Sequence, residues 1–153
     1  MSEIIKHTGD NLPGIKKIEY CFDSEISSEE VNLIDNEIII NFVSEKDWKK
    51  IYFTPETVVT NLDDEEQTPA GIIYNNSLNF KVPKERKEVS AKLLSFNSKN
   101  FIFKLTTQNG SILIVGRKDN PIIKIGNLKL NTGFSGYELN FTGQNHHPVL
   151  FLV

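Results

Sequence analysis

Residues Phe101 to Arg117 read Phe-Ile-Phe-Lys-Leu-Thr-Thr-Gln-Asn-Gly-Ser-Ile-Leu-Ile-Val-Gly-Arg, with apolar residues on both sides of Asn109-Gly110. A type I′ turn needs a positive φ at both central residues, which Asn tolerates and Gly adopts freely, so this dipeptide predicts a two-residue hairpin. Counting outward from the turn places Leu105 opposite Ile114. One face of the hairpin is then expected to carry Phe101, Phe103, Leu105, Ile112 and Ile114, and the other face, with Ile102, Leu113 and Val115 among polar residues, to be half covered.

Alternating apolar residues predict strands on both sides of this hairpin. Ile18, Tyr20 and Phe22 alternate with polar neighbours in a first strand, and a second hairpin is expected around Asp35-Asn36. The apolar residues of positions 71–82 are all even-numbered, which favours one uninterrupted strand over a turn at Asn75-Asn76. Further strands are expected at 51–53, at 123–130 with a bulge at Gly126-Asn127, and at 137–141, with a turn from 142 to 148.

A single helix is expected after Pro83, at about residues 84–95. Proline suits the first turn of a helix, and Val89, Leu93 and Phe96 are spaced to form one apolar stripe. With 153 residues, the chain is expected to form one domain, 1–153. The predicted fold is mainly β, an antiparallel β-sandwich or flattened barrel with this one flanking α-helix.

Composition limits the classes of partner. A formal net charge of −3 provides no general attraction to nucleic acid or acidic membranes, and neither contact is expected. The first ten residues contain no apolar signal core, and no later segment has the length of a membrane span, so the protein is expected in the cytoplasm. Cys21 is the single cysteine and is expected to be a small buried hydrophobe.

Two surface segments are candidates for contacts with other chains. Residues 61–70 contain Asp63, Asp64, Glu65 and Glu66, which repel one another and predict a mobile surface loop. A paired-carboxylate site is the alternative, but no calcium-loop spacing or histidine supports it. The apolar segment 149–153, which includes Leu150 and Phe151, is expected to be buried in a last strand or against a partner.

No motif for catalysis or cofactor binding is recognisable. The sequence lacks a glycine-rich phosphate loop, a Gly-x-Ser-x-Gly elbow and a His-Glu-x-x-His motif. His146-His147 is the one pair that suggests a metal, but adjacent side chains on an extended backbone point in opposite directions. We therefore expect no catalytic, metal-binding or cofactor-binding residues and no enzymatic activity.

Several segments together resemble small structural proteins of phage and prophage tails, especially tail-tube-like components. These segments are Asn11-Leu-Pro-Gly-Ile15, Trp48 with 51–57, 71–83 with the charged helix, 101–116 with Asp119-Asn-Pro121, and 136–143 with His147-Pro148. The resemblance implies a β-sandwich or flattened barrel that assembles into stacked rings, contains no catalytic residues, and ends up in the virion tail. The polar segment Ser24 to Glu30 and the acidic segment have no counterpart in it, so subunit contacts are expected to differ there.

The predicted function is self-association with copies of the same chain or with other tail proteins. The candidate subunit interface consists of Asp63, Asp64, Glu65, Glu66, Leu150 and Phe151. The alternative is a monomeric β-sandwich module that binds a glycan or peptide on Trp48, Tyr52 and Tyr74, although aromatic residues on strands more often belong to a core.

Overall fold

The computed structural model describes residues 14–53, 58–83, 87–131 and 136–153. They form an 11-stranded sheet and one α-helix, which confirms the predicted mainly β fold with a flanking helix. The strands are β1 Ile15–Phe22, β2 Ile26–Asn32, β3 Glu37–Phe42, β4 Lys49–Ile51, β5 Val59–Thr68, β6 Gly71–Pro83, β7 Asn100–Thr107, β8 Ile112–Val115, β9 Ile122–Asn131, β10 Gly136–Asn145 and β11 Leu150–Leu152. The helix α1 spans Lys87–Leu94, and 3-10 turns cover Asp23–Glu25 and Ser95–Ser98.

The sheet branches at β7. One edge of β7 pairs with β1, and the other edge pairs with β9 at Phe101 and with β8 from Phe103 onward. From β8 the sheet continues through β11 and β3 to β2, and from β9 through β10 and β6 to β5. The strands are antiparallel as predicted, except that β11 runs parallel to β3. β4 pairs with β1 alone, so among the described residues β2, β4 and β5 each end the sheet with an unpaired edge.

The two branches cover opposite faces of β7 and enclose two apolar cores. The first core holds the odd-numbered side chains of β7, including Phe101 and Phe103, against Phe80 and Phe141 of β6 and β10. The second core holds Ile102 of β7 against the strands of the other branch, with members Cys21, Ile26, Ile38, Ile102, Ile114 and Leu150. Burial on both faces explains the continuous apolar run Phe101-Ile102-Phe103 in β7.

The register of the β7–β8 hairpin differs from the prediction by one residue. Its loop has three residues, because the Thr107 N–H donates to the Ser111 carbonyl and the Gly110 N–H donates to the Thr107 carbonyl. Gly110 has a φ of +88°, while Asn109 is not in the left-handed region, so the turn is a type I turn followed by a left-handed glycine.

This shift corrects the predicted faces of β8. Leu105 lies opposite Leu113 rather than Ile114, and Phe103 lies opposite Val115. A slip of one residue moves every side chain to the other face. Val115 therefore packs in the first core and Ile114 in the second, and the prediction that Ile114 shares a face with Phe103 is wrong.

The acidic segment is a strand and not the predicted loop. Residues 61–68 belong to β5, which pairs with β6 along an antiparallel ladder that ends at Thr68 and Gly71. The acids do not prevent this pairing, because side chains on an edge strand still reach water. Asp64, Glu65 and Glu66 are exposed there.

The strand β6 is uninterrupted, which confirms the prediction for Asn75-Asn76. These two residues pair with Gln144 and Gly143 of β10 inside a continuous ladder. Leu78 and Phe80 are buried as expected, whereas Tyr74 is only half-buried.

The remaining predictions concern the helix, the bulge in β9 and the end of β10. The helix prediction is confirmed within the described residues, with 84–86 lying outside them, and Leu93 and Phe96 are buried. The predicted bulge in β9 is confirmed by a register shift between Ile125 and Lys129. β10 continues to Asn145, so the turn expected from residue 142 begins later, because 142–145 complete the ladder with β6. Most of the connection between the strands predicted at 123–130 and 137–141 lies outside the described residues.

Two glycines make room for Ile122 where the sheet branches. Gly116 has a φ of +94°, and a Cβ there would lie 3.0 Å from Cγ1 of Ile122. A Cβ on Gly143 would collide with Cδ1 of the same isoleucine. A side chain at Gly143 would force the Ile122 side chain to shift, and a side chain at Gly116 would crowd Ile122 and strain the backbone at its positive φ.

Candidate interaction surfaces

The hairpin of β5 and β6 extends past the end of β10, the other strand that pairs with β6. We name residues 64–75 of this hairpin the acidic arm. β10 pairs with β6 from Pro83 to Tyr74, so residues 71–73 pair with β5 alone. The arm has no lysine or arginine, and positions 63–66 alone carry more negative charge than the net −3 of the chain. Ile72 adds an apolar side chain that is 41% exposed.

Asp63 connects the base of the arm to the last strand. It sits in a bulge of β5 with a φ of +58°, a conformation that Asp tolerates better than most residues. Its N–H donates to Oδ1 of the buried Asn76 at 2.9 Å, and its own Oδ1 accepts from the Val149 N–H at 2.8 Å. These bonds place the acidic segment beside residues that are 86 positions away in sequence.

The same region holds an open groove of about 500 Å³. Its apolar lining combines Leu62 of β5 with Leu113 and with Phe151 of β11, whose side chain is 43% exposed. Leu150 is 1% exposed and packs in the second core, so its side chain faces the interior of its own chain. Of the predicted interface residues, Asp64, Glu65, Glu66 and Phe151 therefore present surface, while the Asp63 carboxylate is engaged internally.

A basic slot lies where the other end of β6 meets α1. Its volume is about 170 Å³, and its walls are Tyr20, Lys50, Ile51, Tyr52, Val82, Lys92, Leu93 and Phe96. Tyr52 is 73% exposed at its rim, and the Lys50 Nζ lies 4.9 Å from the Tyr52 ring centroid. The stripe that predicted the helix contains Leu93 and Phe96, but it gave no indication that β4 would bring Lys50 and Tyr52 beside them.

Glu25 and Lys49 form a partly buried ion pair, and the Lys49 Nζ lies 5.6 Å from the ring centroid of Tyr20, which lines the slot. Glu25 Oε1 accepts both from Lys49 Nζ and from the Phe22 N–H. Burial alone would raise the pKa of the Glu25 carboxyl, but these two hydrogen bonds lower the pKa below its ordinary value. Burial, reinforced by the Glu25 charge, raises the pKa of the Cys21 thiol to about 12, so this thiol stays protonated near neutral pH.

No family model, curated protein or solved structure matches this chain. Among the helices that the structure describes, none is long and apolar enough to cross a membrane.

The adjacent residues His146 and His147 have different environments. His147 Nε2 lies 3.3 Å from Arg117 Nη1, and its Nδ1 lies 2.8 Å from the Pro148 carbonyl. Because arginine is always a donor, this geometry assigns the proton to Nδ1 and makes Nε2 an acceptor. His146 is exposed. Within the described ranges, no three His, Cys, Asp or Glu residues are grouped as metal ligands.

The three aromatic residues of the alternative binding surface occupy different environments. Trp48 packs against the second core with its ring 5.3 Å from Phe42, at nearly a right angle. Tyr52 lines the basic slot, and Tyr74 lies opposite Glu65 in the acidic arm. The three residues therefore do not share one environment. The sequence alone did not reveal this, because their positions depend on strands that are distant in sequence.

Proposed function

We propose that this protein is a structural subunit that functions by self-association into rings or a tube. The observation that carries the proposal is the hydrogen bond between Asp63 and Val149, because it joins the two predicted contact segments into one surface. That surface combines the acidic arm, the unpaired edge of β5 and the groove around Phe151. An unpaired strand edge is a template for contacts between chains.

The features of this surface suit repeated contacts between subunits. A stable contact typically buries about 800 Å² on each partner, and many weaker contacts add together in a ring or tube. Contacts between two different patches close into rings only when the rotation between subunits permits. We therefore expect a dilute sample to be monomeric and a concentrated one to assemble.

The tail context follows from the sequence resemblance. In this proposal the protein accumulates in the cytoplasm of a host cell and is then built into the tail of a phage or prophage particle. It contacts its own copies or other tail proteins, catalyses no reaction, and needs no cofactor, nucleic acid or membrane.

The test is sedimentation velocity across a wide range of concentrations, followed by negative-stain imaging of the most concentrated sample. We expect larger species to appear as concentration rises, and rings or short tubes in the images. Phe151→Ser, which removes the exposed apolar side chain, should shift assembly to higher concentration, while Ser27→Ala on the exposed part of β2 should not. A protein that stays monomeric throughout and binds members of a glycan or peptide library would instead be a binding module.

A further inference from the structure

The long strand β6 has surfaces of opposite charge at its two ends. Ile72 lies in the acidic arm, and Val82 lines the basic slot ten residues later. At about 3.3 Å per residue, the two surfaces are about 30 Å apart, which is too far for the arm to reach the slot of its own chain. Each surface is therefore available to a different molecule.

The charges on both surfaces lack ionic partners. Among the described residues, Lys50 and Lys92 form no ion pair, and neither do Asp64, Glu65 and Glu66. The one side-chain contact of these acids is a neutral one, from the Asn75 amide to Glu66 Oε2 at 3.2 Å. Such a contact leaves the negative charge of Glu66 uncompensated.

The apolar parts of the two surfaces are also complementary. The slot has an apolar floor that includes Leu93 and Phe96, with one lysine from β4 and one from α1 at its rim. The arm presents Ile72, and the pairing of β5 with β6 places Glu65, but not Asp64 or Glu66, on the same face as Ile72. An apolar centre with a charged rim is the usual arrangement of a protein–protein contact.

We infer that the acidic arm of one copy docks into the basic slot of the next copy, so that the chains associate head to tail. This inference rests on the proposed self-association and names the surfaces that carry it. Ile72 fills the slot against Leu93 and Phe96, while Glu65, on the same face as Ile72, faces Lys50 and Lys92. A second copy is the occupant because the chain itself carries both complementary surfaces, each at a separate end.

Head-to-tail contact leaves an arm free at one end of every assembly and a slot free at the other, so it propagates. It also depends on salt, because the charged groups are exposed and are screened within about 10 Å at 0.1 M ionic strength. We expect the association to weaken by about tenfold or more between low and high salt.

The test uses two charge-reversed variants. The arm variant carries Glu65→Lys, and the slot variant carries Lys50→Glu and Lys92→Glu. Each variant alone should sediment as a monomer at concentrations where the parent protein assembles. An equimolar mixture should assemble with the two variants alternating, because the acidic arm of the slot variant fits the basic slot of the arm variant and the reversed arm of the arm variant fits the reversed slot of the slot variant. A chain with all three changes should assemble again.

Controls and contrary outcomes separate this inference from the proposed function. Glu30→Lys and Lys16→Glu reverse exposed charges elsewhere and should leave assembly unchanged, and circular dichroism should show that every variant is folded. If the parent protein assembles but the arm and slot variants assemble equally well, head-to-tail docking is wrong and self-association stands. If the parent protein is monomeric at all concentrations and salt levels, the proposed function fails as well.

Discussion

Glu25 shows how the sequence places a charge in a largely apolar environment. Its side chain is almost fully buried, yet the Lys49 ammonium and the Phe22 N–H both donate to one of its oxygens. Lys49 is held in turn over the Phe22 ring, with its Nζ 4.7 Å from the ring centroid. A buried carboxylate is tolerable only with such partners, because an unpaired one would be costly.

The lowered pKa of Glu25 predicts a specific pH dependence of stability. A carboxyl with a depressed folded-state pKa stabilises the fold above its ordinary pKa of about 4.5, and this contribution is lost as pH falls through the depressed value. Glu25→Gln should cost about 1–3 kcal/mol of unfolding free energy near neutral pH. The difference from the parent protein should shrink as the pH is lowered towards 3 in urea titrations. A difference that stays constant over this range would contradict the assigned role of the charge.

At the scale of elements, the bulge at Asp63 fixes where the arm begins. The bulge falls between Asn61 and Asp64, and the Asp63 carboxylate holds the first residue of the segment that leads into β11. This single side chain therefore sets the position of the arm relative to the groove that Phe151 lines.

Asp63→Ala removes the acceptor for the Val149 N–H and leaves the left-handed backbone at position 63 less well tolerated. We expect a loss of about 1–3 kcal/mol in unfolding free energy. Amide hydrogen exchange at Val149 should also become faster. Asp64→Ala, one residue away on the exposed part of the strand, is the matched control and should change stability by less than about 0.5 kcal/mol. Unchanged protection of the Val149 amide in the Asp63 variant would show that the hydrogen bond contributes little.

The sequence was informative wherever a pattern is local. The parity of Ile72, Leu78 and Phe80 correctly predicted a continuous β6, and the stripe of Leu93 and Phe96 correctly predicted the helix. It failed at the β7–β8 turn because Asn-Gly also fits a three-residue loop, and the choice depends on which face of β8 meets which core.

The sequence indicated some residues of the candidate interaction surfaces, but not how these residues are arranged in space. The acids and Phe151 stand out by composition, so the sequence identified them as surface residues. Four acids in a row predict a loop, but residues 63–66 lie in β5, because repulsion disfavours burial and does not disfavour an edge strand. The Asp63 to Val149 bond and the basic slot depend on pairings between distant segments, which no short pattern reveals.

At the scale of the whole molecule, β7 is shared by both cores. Leu105 lies in the first core and Ile102 in the second, and both side chains are fully buried on opposite faces of the same strand. Neither core can therefore lose its packing without disturbing the strand on which the other is built. This arrangement predicts that residues 1–153 unfold as one cooperative unit although they contain two cores.

Leu105→Ala in the first core and Ile102→Ala in the second core test this prediction. Each leaves a cavity and should cost about 2–5 kcal/mol of unfolding free energy. Trp48, the single tryptophan, packs against the second core, so its fluorescence reports on that core, whereas far-UV circular dichroism reports on the whole sheet. In urea, the two signals should change together in the parent protein and in both variants. If Leu105→Ala separated the transitions, with circular dichroism lost before Trp48 fluorescence, the cores would be independent, because damage to the first core would then have left the second one folded.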